Sequence, residues 1–381
     1  MTYLLTFWTT SDWERGTGRG STGTGNKNMP TVWFILVAFM ITMYVILDGF
    51  DLGAGILHLL IAKNDNERRM ILRAIGPVWD GNEVWLLAAG GTLYCAFPLL
   101  YASSFSGLYL PLIMVLWLLM LRGLGIEFRH QVSHELWKSF WDFMFSLSSI
   151  LLAIFLGAAL GNVVRGVPLD DKGYFFEPLW TTFVPQRGIP DSGILDWFTT
   201  LMGLVALSTL TFHGSNYISM KTQGDIQQRA RTLSAKAWWG VLITSLLAVV
   251  STFSIRPETL ENFPAHPVGY IFPIGGILAL SSAYFFRIRG KDVGAFLSSS
   301  LFIACMLAST AFGLYPNVLP ASTNPNYNLT IYNSAAHEYG LSVGIVWWSV
   351  GMILASTYFI FLYRSFRGKV PPAQTDEAGY L

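Results

Sequence analysis

Nine runs of roughly 20 predominantly apolar residues succeed one another along the chain, at about 32–60, 75–101, 107–126, 143–164, 194–218, 236–254, 268–287, 293–314 and 340–363. A helix of that length matches the hydrocarbon thickness of a bilayer. Because every backbone N–H and C=O must be paired internally in lipid, each run predicts a transmembrane helix. The first two runs are longer than the bilayer is thick, so they predict helices that tilt or project beyond it.

The polar segments between the runs decide the orientation. Taken alternately, with Arg122, Lys236 and Arg287 near the run ends counted with the adjoining segments, they hold seven Lys and Arg on the side of the N-terminus and 17 of the 24 on the side of the C-terminus. The positive-inside rule then places the N-terminus outside and the C-terminus in the cytoplasm, as an odd number of crossings requires. The segment 315–339, which has no Lys or Arg, falls on the outer face. The expected fold is an all-α polytopic membrane protein with nine transmembrane helices. Residues 1–30, with Gly16, Gly18, Gly20, Gly23 and Gly25 among Ser and Thr, read as a flexible tail, 31–366 as the transmembrane domain and 367–381 as a cytoplasmic tail.

Composition agrees: 52% hydrophobic and 12% charged residues over 381 positions is too apolar for a soluble domain. A net charge of +1 gives no footprint for nucleic acid. Cys95 and Cys305 lie inside apolar runs and read as small buried hydrophobes.

Against this background the intramembrane acids stand out. Asp80, Asn82 and Glu83 sit between Trp79 and Trp85 in the second run. Ionised groups at that depth cost roughly 2.5–3.5 kcal/mol each on insertion scales, so they persist where they face a protein interior or water. Asp48 and Asp51, three residues apart and on one helix face, occupy the cytoplasmic half of the first run, and Glu127 ends the third. Five carboxylates from three consecutive helices thus gather toward the cytoplasmic side. Such a funnel suits proton uptake, since clustered buried carboxylates exchange protons near neutral pH. Two plainer readings stand beside it: Asp80 and Glu83 as the wet lip of a helix, and Asp48 and Asp51 in structural ion pairs with Arg73 or Arg122.

Six histidines offer no pair placed to sandwich a haem; His213, mid-helix, reads as hydrogen-bonded to a neighbouring helix. Gly49 with Gly53, and Gly157 with Gly161, have the spacing that lets helices approach closely. A proton-coupled secondary transporter would use the same acids, but such transporters repeat their features in two halves and these acids occupy one. A purely structural scaffold would make the acids dispensable.

The stretches LDGFDLGAGIL at 47–57, NDNERRMILRAIGPVWDGNEVWLLAAGGTLY at 64–94 and LPASTNPNYNLTIYNSA at 319–335 resemble subunit II of cytochrome bd-type quinol oxidases, over about residues 31–366. The resemblance implies nine transmembrane helices in a prokaryotic plasma (inner) membrane complex that oxidises quinol and reduces dioxygen to water. It implies haem b and haem d carried by a partner, subunit I, a small single-helix accessory subunit in some members, and in some a quinone bound in subunit II. It also implies a proton-transfer role for Asp51, Asp80 and Glu127, with Asp48 and Glu83 adjacent, and places Trp85 on the route of oxygen access. The N-terminal extension of about 28 residues departs from the family pattern.

Overall fold

The computed structural model describes residues 28–184 and 193–371. The tail read at 1–30 lies almost wholly outside the described residues, as does most of the one read at 367–381. Twelve α-helices are described: α1 (Met29–Ile61), α2 (Asp65–Ile75), α3 (Trp79–Ala96), α4 (Pro98–Gly107), α5 (Tyr109–Phe128), α6 (Glu135–Arg165), α7 (Trp197–Lys221), α8 (Gly224–Ile255), α9 (Asn262–Ala265), α10 (Ile271–Ile288), α11 (Asp292–Leu314) and α12 (Glu338–Ser365). A two-stranded antiparallel ribbon, β1 (Asn317–Leu319) and β2 (Leu329–Thr330), joins α11 to α12.

Seven of the described helices are long and apolar enough to cross a membrane: α1, α5, α6, α8, α10 with the turn before it, α11 and α12. The remaining two predicted crossings correspond to α3 and α7, whose apolar character is diluted by Asp80, Asn82 and Glu83 in one and by His213, Ser215 and Asn216 in the other.

The second run is not one helix. Residues 76–78 form a turn, and the helix that follows stops at Phe97, whose φ of −133° and ψ of 66° lie outside the helical region. Pro98 explains the stop: it has no N–H to donate and its ring pushes the preceding residue out of helical geometry, after which it starts α4 at the position where proline is tolerated. Hydropathy alone hides such a break. It also hides α2, whose Asn64 cap accepts a hydrogen bond from Glu67 N at 2.9 Å, with Asp65 and Glu67 in the first turn and Arg73 in the last complementing the helix dipole. The fourth and sixth runs begin earlier than their apolar stretches, at Glu135 and Gly224.

Helix α1 is the centre of the packing, contacting α3, α6, α7 and α11, and its residues 48–58 are buried without interruption. Its contact with α7 requires glycine on both sides, since a Cβ on Gly53 would lie 2.6 Å from Gly214 Cα. Gly157 of α6 meets Gly203 of α7 in the same way. Helix α12 lies at the margin, against α3 and α1.

The connections gather at two ends. At one, Arg229 pairs with Glu67, Arg231 with Asp292 at 2.7 Å, and Lys221 Nζ donates to Phe366 O at 2.6 Å. At the other, Val167 bridges Ala321 and Ala336 N donates to Ala96 O at 2.9 Å. Cys95 is exposed and Cys305 partly exposed, against the expectation that both are buried. An apolar stretch in a membrane protein does not say which of its faces turns outward.

Candidate functional site

The acids of α1 and α3 lie toward the basic end of the molecule, on the same side of α5 as Arg129. Arg122, fully buried near the end of α5, bridges two of them: its guanidinium donates to Asp48 Oδ1 at 2.7 Å and to Glu83 Oε2 at 2.8 Å. Helix α5 thereby reaches α3 and α1 through a long side chain. Asp51, one turn from Asp48, has no cation of its own among the described residues; its Oδ2 accepts from Asn82 Nδ2 at 2.7 Å. Asn82 Oδ1 in turn accepts from Tyr363 Oη of α12 at 2.8 Å, which fixes the amide with its N–H toward the carboxylate. The cluster therefore holds three carboxylates against one guanidinium.

Of the five predicted acids, the structure brings together Asp48, Asp51 and Glu83. Asp80, in the first turn of α3, and Glu127, in the last turn of α5, are exposed. They stand at the rim, Asp80 one helical turn outward from Glu83, so the expected gathering of five is corrected to two fully buried aspartates, Asp48 and Asp51, with the partly exposed Glu83 beside them and two carboxylates outside. The ion-pair reading also gains ground for Asp48, through Arg122.

A second charged network escapes sequence reasoning. Asp142 of α6, 1% exposed, accepts from Arg129 Nε at 2.5 Å and from Arg68 Nη1 at 2.9 Å, and lies 2.5 Å from His58 Nε2. Arg129 continues to Asp65, also at 2.5 Å. This network ties α1, α2, α5 and α6 together at the basic end. Burial alone would raise the Asp65 carboxyl; the hydrogen bond and charge of Arg129, with Arg69 and Lys138, outweigh it and hold Asp65 below the ordinary carboxylate range. Glu67 is lowered likewise, burial being outweighed by Arg229 and by the backbone N–H groups of Lys63 and Asn64. A third network at the opposite end sets Arg165 between Glu177 and Asp196, the latter also capping α7 in a reciprocal box with Thr199.

Trp85 is buried against Phe39 and Phe359, with ring centroids 6.2 and 5.6 Å away, and shares a cluster with Met40, Tyr44 and Ala89. A separate apolar cavity of about 240 Å³ lies in the other half of α1, walled by Phe34, Val37, Phe97, Leu160 and Leu314, with Thr42 among its few polar groups. Trp85 does not line it. His213 lies 2.8 Å from Ser299 Oγ and 3.0 Å from Ile46 O, so both ring nitrogens are engaged with neighbouring helices.

The family model for cytochrome bd terminal oxidase subunit II matches residues 29–366. A Haemophilus influenzae protein described as a probable cytochrome oxidase subunit 2 is 32% identical, with 89% of this chain and 94% of the relative covered. The Escherichia coli cytochrome bd-I ubiquinol oxidase subunit 2 is 29% identical over the same shares, and the Bacillus subtilis cytochrome bd ubiquinol oxidase subunit 2 is 32% identical over 82% and 88%. A chain of the bd oxidase structure from Geobacillus thermodenitrificans has the same fold, with a TM-score of 0.70 at 17% identity over 89% of this chain and 98% of that one.

Proposed function

The chain belongs to the family of subunit II of cytochrome bd terminal oxidases, and from that premise we propose that its buried carboxylates carry protons from the cytoplasm toward the site of oxygen reduction. It is one subunit of a quinol oxidase complex, multi-pass in the bacterial plasma membrane, that includes a subunit I and contains haem. The haems, b and d on this reading and carried by subunit I, supply the electron transfer and the dioxygen chemistry. Subunit II supplies the proton path, a hydrophobic approach for dioxygen beside Trp85, and a surface for its partner; a small accessory subunit is a further candidate neighbour.

The carrying observation is the imbalance at Arg122. Among the described residues one guanidinium faces two fully buried aspartates and the partly exposed Glu83, and Asp51 is the one whose neighbour is an amide. An unpaired charge in that setting is expensive, so Asp51 is the group for which holding a proton relieves the excess negative charge. Asp80 and Glu127 at the rim gather protons, Glu83 and Asn82 lead inward, and Arg122 keeps Asp48 and Glu83 in place. The transporter alternative is not favoured, because the family is that of a terminal oxidase.

The helices α3 and α7 are proposed to complete nine crossings, with the N-terminus outside and the C-terminus in the cytoplasm. The basic end described above supports that orientation, since it collects Arg68, Arg69, Arg129, Lys138, Lys221, Arg229 and Arg231. The apolar cavity beside Phe34 and Leu160 suits the isoprenoid part of a quinone, and is proposed as the place where one is held. Asp80→Asn tests the outer part of the path, since it keeps size while removing the titratable proton. Oxygen consumption per haem is expected to fall by about tenfold, and full turnover in a haem-loaded complex would show that protons enter elsewhere.

A further inference from the structure

Five buried polar atoms around the Arg122 ion pairs have no hydrogen-bond partner among the described residues: Tyr44 Oη, Asp48 Oδ2 and Asp51 Oδ1 on α1, Trp85 Nε1 on α3 and Arg122 Nε on α5. Tyr44, Asp48 and Asp51 follow at i, i+4 and i+7, so a single face of α1 carries all three. The Tyr44 phenol faces the Asp48 carboxylate closely enough to couple to it, but outside direct hydrogen-bond geometry. Tyr44 is 3% exposed and the two aspartates at most 1%, so bulk solvent does not reach them. Trp85 packs in the same cluster as Tyr44, one helical turn beyond Asn82.

Buried polar atoms are nearly always paired, and where side chains do not pair them an internal water does so, given a site with about two to four polar neighbours. This row has the right chemistry. The carboxylate oxygens accept, the indole N–H donates, and the phenol does both. Met40 and Ala89 share the buried cluster of Tyr44 and Trp85.

Resting on the proton-carrying reading above, we infer that Tyr44 is a positioning residue whose hydroxyl, with Asp48 Oδ2 and Asp51 Oδ1, holds a short file of internal water that carries protons inward past the Arg122–Asp48 pair. Each hop exchanges one O–H bond for another: a water takes the proton leaving the Asp51 carboxyl and releases one of its own to the next oxygen. The ionised Asp48 stabilises the proton in transit, while Arg122 remains neutralised by Asp48 and Glu83. The titratable and charged groups facing this file are Asp48 and Asp51 on α1, Glu83 on α3, Arg122 on α5, Tyr217 on α7 and Tyr363 on α12.

The test is Tyr44→Phe in the assembled oxidase, beside Asp51→Asn, reading turnover per haem against pH and the solvent deuterium isotope effect. Phenylalanine keeps the ring and removes only the hydroxyl. Turnover of Tyr44→Phe is expected to fall on the order of tenfold, as for loss of one hydrogen bond worth about 1.4 kcal/mol. The isotope effect should rise and the pH profile should change, neither of which a packing role would produce. A fall in Asp51→Asn with wild-type rate, isotope effect and pH profile in Tyr44→Phe overturns the inference and leaves the proton path standing. Wild-type behaviour in both variants overturns the proton path and the inference with it. Tyr44→Leu, if Tyr44→Phe does not assemble, is read by the same criteria.

Discussion

Arg122 and Asp48 form an ion pair at 2.7 Å with both side chains fully buried, one on α5 and the other on the central helix α1. Removing one partner of such a pair leaves the other uncompensated in a low-dielectric interior. Arg122 has a second carboxylate in Glu83 at 2.8 Å, so the two partners are not equivalent. Arg122→Gln strands two acids and is expected to destabilise the subunit by about 3–5 kcal/mol. Asp48→Asn leaves Arg122 paired with Glu83 and should cost less. Thermal unfolding of the purified complex, scored by haem retention, ranks the two; equal stability would mean that Glu83 contributes nothing to holding Arg122.

The Asp142 network should behave as a lock on α2. Asp142→Asn keeps the shape but removes the charge that faces Arg129, Arg68 and His58, with an expected loss on the order of 3 kcal/mol. Hydrogen exchange should then rise in residues 65–75 before it rises in α1. Unchanged protection there would assign the docking of α2 to its apolar face alone.

Asp65 and Glu67 give that lock its pH dependence. Both carboxyls lie below their ordinary values in the folded chain, held there by Arg129 and Arg229 against the opposing effect of burial. The unfolded state therefore binds protons first as pH falls, and the stabilisation is fully present above the unfolded carboxylate values of about 4. It is lost progressively as pH drops from there through the folded values. Exchange protection of α2 should be flat from pH 8 to pH 5 by this contribution and decline in stronger acid. Asp65→Asn with Glu67→Gln should flatten the acid decline; an unaltered decline would locate it in other groups.

If the apolar cavity holds a quinone, filling it should expel one. Ala311→Phe projects a ring into the space beside Leu160 and Leu314. Solvent extraction of the purified complex should then yield about one quinone fewer per complex than the parent, a ligand of this size needing the volume that the ring takes up. An unchanged quinone content would place the molecule elsewhere.

Much of the architecture was legible in the apolar runs, because a lipid-spanning helix advertises itself by length. The break at Phe97 was not, since Pro98 lies inside an apolar stretch and interrupts geometry without interrupting hydropathy. At the site, Asp48, Asp51 and Glu83 were legible as acids out of place in a membrane helix. That Asp80 and Glu127 sit on outer faces depends on how α3 and α5 are rotated, which three-residue spacing does not settle. Asp142 is not legible as a site residue, because its apolar run begins one residue later and its partners at 58, 68 and 129 share no periodicity with it. Tyr44 carries a legible signal, since it precedes Asp48 by one helical turn on the same face.

On the proposed proton path Asp51 is the carboxylate on which transfer depends, because among the described residues it has an amide and no cation beside it. Asp51→Asn preserves size and keeps an oxygen to accept from Asn82 while removing the titrating proton. Oxygen consumption per haem in the purified, fully haem-loaded complex is the measurement. The account predicts a fall by about tenfold or more, recovered in part by Asp51→Glu. Parent-level turnover in Asp51→Asn would contradict it.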